Sequence, residues 1–253
     1  DHVVPRSVRR ATHVLADSRA TRNDLVELYD TPPDKITVLL GGVNPEFAPV
    51  KDQHVRRAVQ QRYGLPGNRY IFSIGTVQPR KNYARLIEAL AALGPECEDV
   101  HLVIAGGRGW LEGPIYRAVG DLHLTGRVHF IGFARDEDLP ALYSEAACLA
   151  YPSLYEGIGL PVLEAMACGI PVVTSNISSM PEVAGDAALL VDPYDVAALA
   201  DALQRLLTDD ALRADRVSRG VIQASRFTWT RAAQQLIEVY RQLSDSAWRN
   251  KNE

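Results

Sequence analysis

Apolar runs of strand length recur along this chain, and most are followed by stretches in which apolar residues return at three- and four-residue intervals. Residues 12–16 (THVLA) precede a helical pattern over 18–29, with Ser18 placed to cap it. TVLL at 37–40 ends in the Gly41-Gly42 turn, and YIFSI at 70–74 leads into a helix carrying Leu86, Ile87, Leu90 and Leu93. Further strands are predicted at 100–105, 128–131, 147–151, 172–175 and 188–191. Helices are predicted at 115–121, 139–145, 161–168, 196–208 and 230–243. Short strands that are apolar on both faces, alternating with helices, predict an α/β fold whose parallel, doubly wound sheet is covered on both sides.

The loop from Asn44 through His54, with Pro45, Pro49 and several charges, breaks this rhythm and reads as a connection between two units. The expected organisation is therefore a remnant over 1–49, a main unit over 50–227 and a terminal helical piece over 228–253. That last helix carries Ala232, Leu236, Val239, Tyr240 and Leu243 on one face and is expected to pack outside the main sheet.

Composition narrows the function. At 253 residues and 47% hydrophobic, the chain buries a substantial core and is not disordered. With 27 Lys and Arg against 31 Asp and Glu it has no global positive field for a polyanion, so nucleic-acid binding is disfavoured. No apolar stretch approaches the ~20 residues of a spanning helix, so a soluble chain without a membrane span is expected. Cys97, Cys148 and Cys168 sit far apart in apolar or helical surroundings, as reduced core thiols do, and no His or Cys pair has zinc-ligand spacing.

In a doubly wound sheet, ligands bind outside the carboxyl ends of the strands, beside helix N-termini. Directly after YIFSI come Gly75-Thr76-Val77-Gln78-Pro79-Arg80-Lys81-Asn82. Gly75 permits close backbone approach, and Arg80 with Lys81 puts two cations at a helix start, which suits a diphosphate. A solvated basic pair in a turn is the alternative. After the strand at 147–151 come Glu156-Gly157-Ile158-Gly159-Leu160-Pro161, in which Pro161 opens a helix that Gly169 closes. The glycine loop leads its N–H groups into a positive helix end, an anion cradle. Glu156 and Glu164 bracket it, which makes sense for a ligand that also offers hydroxyls.

Other features read more plainly. Asp136-Glu137-Asp138 has an acidic pattern seen in metal-dependent transferases, but it opens a helix, where capping and the helix dipole explain it. Gly106-Gly107-Arg108-Gly109 lacks a full dinucleotide fingerprint and is expected to be a tight turn lining the cleft. His13 and His123 are expected to be structural or surface residues. Asp17 and Ser18 face an expected gap between units, where capping is the simpler role.

SIGTVQPRKN, VHFIGF at 128–133, EGIGLPVLEAMACGIPVVTS and MPEVAGDAALLVDP at 180–193 occur in order along nearly the whole chain. Together they resemble the retaining glycosyltransferases of family four. The resemblance implies the GT-B fold of two facing Rossmann-like domains, here one complete donor-binding domain plus the last βα unit of its partner. It implies transfer of a hexose from a nucleoside-diphosphate sugar, GDP-mannose first and UDP-sugars next, to a saccharide or lipid-linked acceptor. Arg80 and Lys81 would hold the diphosphate and support its departure in place of a metal, and Glu156 would contact the transferred sugar. Glu164 would take the ribose hydroxyls, Gly157, Ile158, Gly159 and Leu160 would offer backbone donors, and Gly75, Thr76 and Phe133 would complete the donor site. A front-face reaction without a covalent intermediate, no metal and no cofactor are the accompanying expectations. The acceptor half would come from a missing N-terminal domain or partner chain. A cytoplasmic protein is expected, free or peripheral at the membrane's cytoplasmic face. The alternatives are a sugar-nucleotide-binding module without turnover of its own and an epimerase of the same architecture.

Overall fold

The computed structural model describes residues 3–67 and 69–252, the side chains of 246–252 excepted. The first unit runs α1 (Val3–Arg10), β1 (Val14–Ala16), α2 (Arg19–Tyr29) and β2 (Ile36–Val38). β1 and β2 form a two-stranded parallel sheet with its own small core of Val8, Ala16, Leu25 and Ile36. Ser18 caps α2 by accepting from the Thr21 N–H. His13 joins its ring to the Thr37 hydroxyl at 2.8 Å, a bridge between the two strands. An irregular segment follows β2, and α3 (Gln53–Arg62) opens on the Asp52 cap, two residues before the end of the connection expected from sequence.

The main sheet takes β3 (Tyr70–Ile74), β4 (His101–Ala105), β5 (Val128–Gly132), β6 (Cys148–Tyr151), β7 (Val172–Ser175) and β8 (Leu189–Val191). Its order is β5-β4-β3-β6-β7-β8, every pair parallel, which is the doubly wound Rossmann-like arrangement. The interleaved helices are α4 (Tyr83–Ala91), α5 (Gly113–Asp121), α6 (Leu139–Glu145), α7 (Leu160–Ala167) and α8 (Met180–Ala184), followed by α9 (Val196–Thr208) and α10 (Asp210–Ala224). Successive strand residues feed two different cores. Tyr70, Phe72, Val103, Leu149 and Val172 face one, and Ile71, Leu102, Ile104, Cys148 and Val173 the other. Strand periodicity of two with both faces buried is what produces the uninterrupted apolar runs. The three cysteines are free and buried.

Two long helices have no counterpart in the apolar pattern. α3 (QHVRRAVQQR) buries only Val59, and α10 buries only Gly220, Gln223 and Ala224, so neither shows an apolar stripe. α10 succeeds because Gly220 lets it approach α7: a Cβ there would lie 3.1 Å from Met166 Cγ.

The units are joined by backbone. The Val43 N–H donates to the Phe227 carbonyl at 3.0 Å, and a Cβ on Gly42 would fall 2.2 Å from the Trp229 nitrogen. From that joint runs α11 (Trp229–Asn252). Ala232 and Val239 are buried and Leu236 and Leu243 half-buried, but Tyr240 is exposed. The expected apolar face is thus narrower than its sequence stripe, and Tyr240 does not belong to it. Residues 246–253 of the terminal piece lie outside the residues whose side chains are described.

The loops after β3, β4 and β5 are laced together at the carboxyl edge of the sheet. Gly75 donates to Ala105, Val77 to Gly107 and Gly106 to Gly132, at 2.7–2.9 Å. Gly75 and Gly106 have φ of +139° and +147°, and a Cβ on Gly106 would lie 2.0 Å from the Gly75 oxygen. Gly107 meets nothing within 4 Å. Gly106→Ala is therefore expected to cost upwards of ~2 kcal/mol and Gly107→Ala within about 0.5 kcal/mol, read by urea unfolding of both variants.

Candidate functional site

Chain order reverses between β3 and β6, so the loops leaving these neighbours part to opposite faces and open a crevice at their carboxyl ends. Both sequence-predicted segments empty into it. The Pro79–Lys81 turn after β3 is pinned to the 152–155 loop after β6, because Leu154 N–H donates to the Arg80 carbonyl at 2.9 Å. Asn82 adopts φ +60° and its amide donates to Pro152 and Pro193 carbonyls, tying the loops after β3, β6 and β8 into one platform.

On that platform Arg80, Lys81 and Glu156 converge. Lys81 Nζ lies 2.7 Å and Arg80 Nη1 2.8 Å from the same Glu156 oxygen, Oε1. Lys81 also donates to the Tyr151 hydroxyl at 2.5 Å and stands over that ring. Arg80 additionally reaches the Tyr155 carbonyl. Burial lowers the Lys81 ammonium below its ordinary value, with Glu156 opposing. Burial pushes Glu156 up, but Lys81 and Arg80 outweigh it and hold the carboxyl below its usual range. In its ionised form the cluster sets two cations against one anion and carries surplus positive charge. Glu156 is fixed through its backbone as well: its N–H donates to Ser178 Oγ, while the Ser178 and Ser179 hydroxyls donate to its carbonyl.

The glycine loop sits alongside. Gly159 has φ +76° and caps α7 by backbone alone, with Pro161 in the first turn and Gly169 (φ +75°) just past the end, as read from sequence. The side chains of Ile158 and Leu160 are partly buried against the main core and reach Gly41, where an added Cβ would lie 3.6 Å and 4.0 Å from them. Gly157 faces the first unit: a Cβ there would meet the Asp17 carboxylate at 2.2 Å. Next to it Tyr155 donates to Asp24 at 2.6 Å, and the Arg19 N–H donates to Glu182 at 2.7 Å. α2 of the first unit thus rests directly on the loop that carries Glu156.

Glu164 lies on α7, largely buried. Burial raises its carboxyl above the ordinary value, partly offset by the Tyr143 hydroxyl donating at 2.8 Å and reinforced by the charge of Asp136. Gly75, Thr76, Gly106, Gly107, Phe133, Ala134 and Asp136 line a cavity of about 240 Å³ beyond the β3, β4 and β5 ends. The glycine turn after β4 thus lines the cleft as expected, and Phe133 is 80% exposed there.

The capping role expected of Asp136-Glu137-Asp138 is not what the structure shows. These residues form a 3-10 turn and make no side-chain cap bond. Asp138 is buried and instead accepts from Arg62 at 2.5 Å and Tyr63 at 2.8 Å, tying α3 to α6. Tyr143, Tyr151, Asn82 and Ser178 are site residues that the sequence reading missed. Tyr151, as the last residue of a strand, was marked by the strand-end rule; the others carry no local signal.

Residues 55–222 match the glycosyl transferases group 1 family. The chain belongs to that family. Among its relatives, the O-antigen chain mannosyltransferase B of Escherichia coli is 37% identical over 238 residues, 94% of this chain and 62% of that protein. The chain thus spans about three fifths of the curated relative it matches. Sucrose-phosphate synthase of Thermosynechococcus elongatus superposes with a TM-score of 0.82 at 28% identity, over 97% of this chain and 61% of the other. Anabaena Alr3699/HepE, crystallised with UDP and glucose, superposes with a TM-score of 0.85 at 24% identity, over 95% and 66%. The parallel-sheet architecture and these neighbours place the chain in the GT-B structural class, as the motifs implied.

Because Glu164 is held above its ordinary pKa, its ionised form opposes folding: stability is fullest below the unfolded carboxyl pKa and falls as pH rises through the folded one. Glu164→Gln is expected to unfold at a higher temperature than the parent at pH 7, with the difference vanishing towards pH 4. Calorimetric scans across that range check it.

Proposed function

We propose that this chain is the donor-binding part of a retaining glycosyltransferase that takes a hexose from a nucleoside-diphosphate sugar, GDP-mannose first and UDP-sugars second, and passes it to a saccharide or lipid-linked acceptor. The observation that carries this reading is the convergence of Arg80, Lys81 and Glu156 at the sheet's switch point, next to a glycine loop that opens a helix. A diphosphate meets two cations there and the backbone donors of Gly157, Ile158, Gly159 and Leu160. The mannosyltransferase named among the relatives favours a mannose donor.

When the glycosidic bond breaks, negative charge builds on the departing diphosphate while the sugar gains oxocarbenium character. Lys81 is buried and held in place by Tyr151 and Glu156, so its charge is already aimed when the bond breaks and no reorganisation is spent on it. Arg80 supplies the second charge from the crevice wall. The two together do at the leaving group what a divalent ion does in metal-dependent transferases. Glu156, with one oxygen shared by both cations, is a weakened nucleophile, which supports a front-face reaction in which it orients the sugar. Glu164, raised in pKa and half-satisfied by Tyr143, receives the ribose hydroxyls, and Phe133 gives the base a ring to lie on. The acceptor half and turnover belong to the longer enzyme, acting in the cytoplasm or at its membrane face. Among the described residues no helix is long and apolar enough to cross a membrane.

The test is equilibrium binding of GDP, UDP and ADP to this chain, with Arg80→Ala and Lys81→Ala beside the parent. The parent is expected to bind at least one diphosphate at millimolar concentration or better. Each variant is expected to bind at least tenfold more weakly and, in the full-length enzyme, to lose about 10²-fold in kcat. Absence of any diphosphate binding by the folded parent overturns the reading.

A further inference from the structure

A second cavity, of about 200 Å³, lies at the joint between the units, and none of Arg80, Lys81, Glu156 or Glu164 lines it. Leu40 and Gly41 of the connection contribute to its wall, as do residues from the end of α10 and the start of α11. Two of these are arginines, Arg226 and Arg231, and no acid lines the cavity. Arg226 Nη1 donates to Gln223 Oε1 at 3.0 Å, and Gln223, itself buried, donates from Nε2 to the Val183 carbonyl of α8 at 2.9 Å. The Arg226 guanidinium is thus held by a buried amide rather than by a counter-charge. Arg231 gives its backbone N–H to the Thr228 hydroxyl at 3.2 Å, and its side chain makes no hydrogen bond among the described residues. Neither arginine enters an ion pair among those residues.

We propose that this cavity is a second anion site, in which Arg226 and Arg231 take the phosphate group of a small phosphate monoester or of the free ion. The inference is independent of the diphosphate reading above. Two guanidiniums with no acid beside them call for a ligand of charge close to −2. A carboxylate neutralises only one of them, whereas a phosphate monoester carries about −1.5 to −2 at pH 7 and offers three acceptor oxygens. Each planar guanidinium can meet two of those oxygens in parallel, which a point-charge ammonium cannot do. Size narrows the ligand further. The cavity falls below the ~300–1,000 Å³ of sites for larger organic ligands, so a whole sugar nucleotide exceeds it. The Thr228 hydroxyl and the Gln235 amide line the same space and can serve the hydroxyls of a short polyol that carries the phosphate.

The experiment is calorimetric titration of this chain with glycerol 3-phosphate, inorganic phosphate and acetate, beside Arg226→Gln, Arg231→Gln and Arg80→Ala. Both arginines of the cavity are exposed, so their replacement leaves the core intact, and a thermal melt of each variant checks this. The parent is expected to bind the two phosphates with a Kd of about 1 mM or tighter and acetate about tenfold more weakly. Each variant at 226 or 231 is expected to lose about five- to tenfold in phosphate affinity. Arg80→Ala, at a separate site, is expected to stay within about twofold of the parent. Affinity is also expected to fall several-fold between about pH 7.5 and pH 5.5, because the ligand loses its second charge near pH 6 while the arginines keep theirs. Tighter binding of glycerol 3-phosphate than of inorganic phosphate assigns the site to an esterified group and equal binding to the free ion; either supports it. Phosphate binding that Arg80→Ala abolishes belongs to the donor crevice and overturns the proposal. Phosphate binding that neither cavity variant weakens overturns it too, as does acetate binding as tight as phosphate. Absence of phosphate binding up to about 20 mM in the folded parent has the same consequence.

Discussion

One carboxylate oxygen, Oε1 of Glu156, joins the two halves of the crevice. It is held at 2.7 Å by Lys81 and 2.8 Å by Arg80, and those cations come from the loop after β3 whereas Glu156 comes from the loop after β6. The topology forces these loops apart, because the chain winds in opposite senses from the two central strands. Something must close the gap without filling it, and a charged contact does so while leaving one positive charge uncompensated. A buried pair is costly to desolvate and gives stability mainly through the penalty for breaking it. Here it is retained at a strand end, where the surplus charge is of use to an anion.

The rest of the site follows from keeping that contact in register. Asn82 secures three loops to one platform, and Ser178 and Ser179 fix the Glu156 backbone. Gly75 and Gly106 let two turns approach closer than any side chain allows. The protein carries a net charge of −4, yet the cluster of Arg80, Lys81 and Glu156 has two cations for one carboxylate. Charge at a few ångströms in a half-buried crevice outweighs a diffuse surface excess that salt screens over about 10 Å. The first unit takes part as well: Asp17 and Asp24 rest on the loop carrying Glu156 and Arg19 meets Glu182 of α8, so the geometry of the crevice is coupled to how the units dock.

How much could be read in advance varies with the physics of each feature. The strands were legible because burial on both faces demands unbroken apolar runs, and the turns at Gly75 and Gly157–Gly159 because glycine and proline punctuate strand ends. α3 and α10 were not legible, since a helix that packs through one or two small or apolar residues leaves no stripe. Asp138 looked like a cap because acids favour helix starts. Its actual partners, Arg62 and Tyr63, are more than seventy residues away, and nothing local announces them. Tyr240 fell in phase with an apolar stripe, but α11 rolls its buried face onto Ala232 and Val239.

By itself the sequence determined the class of fold, the order of its strands and the two glycine-bearing segments at strand ends, because periodicity, turn chemistry and residue type act over a few neighbours. Only the tertiary structure decided which of those residues meet. Strand order put residue 81 against residue 156, the two cations beside Glu156 drew its carboxyl down while burial raised that of Glu164, and packing brought Ile158 and Leu160 up to Gly41. Those outcomes depend on distance and desolvation between residues far apart in the chain, which no local pattern encodes.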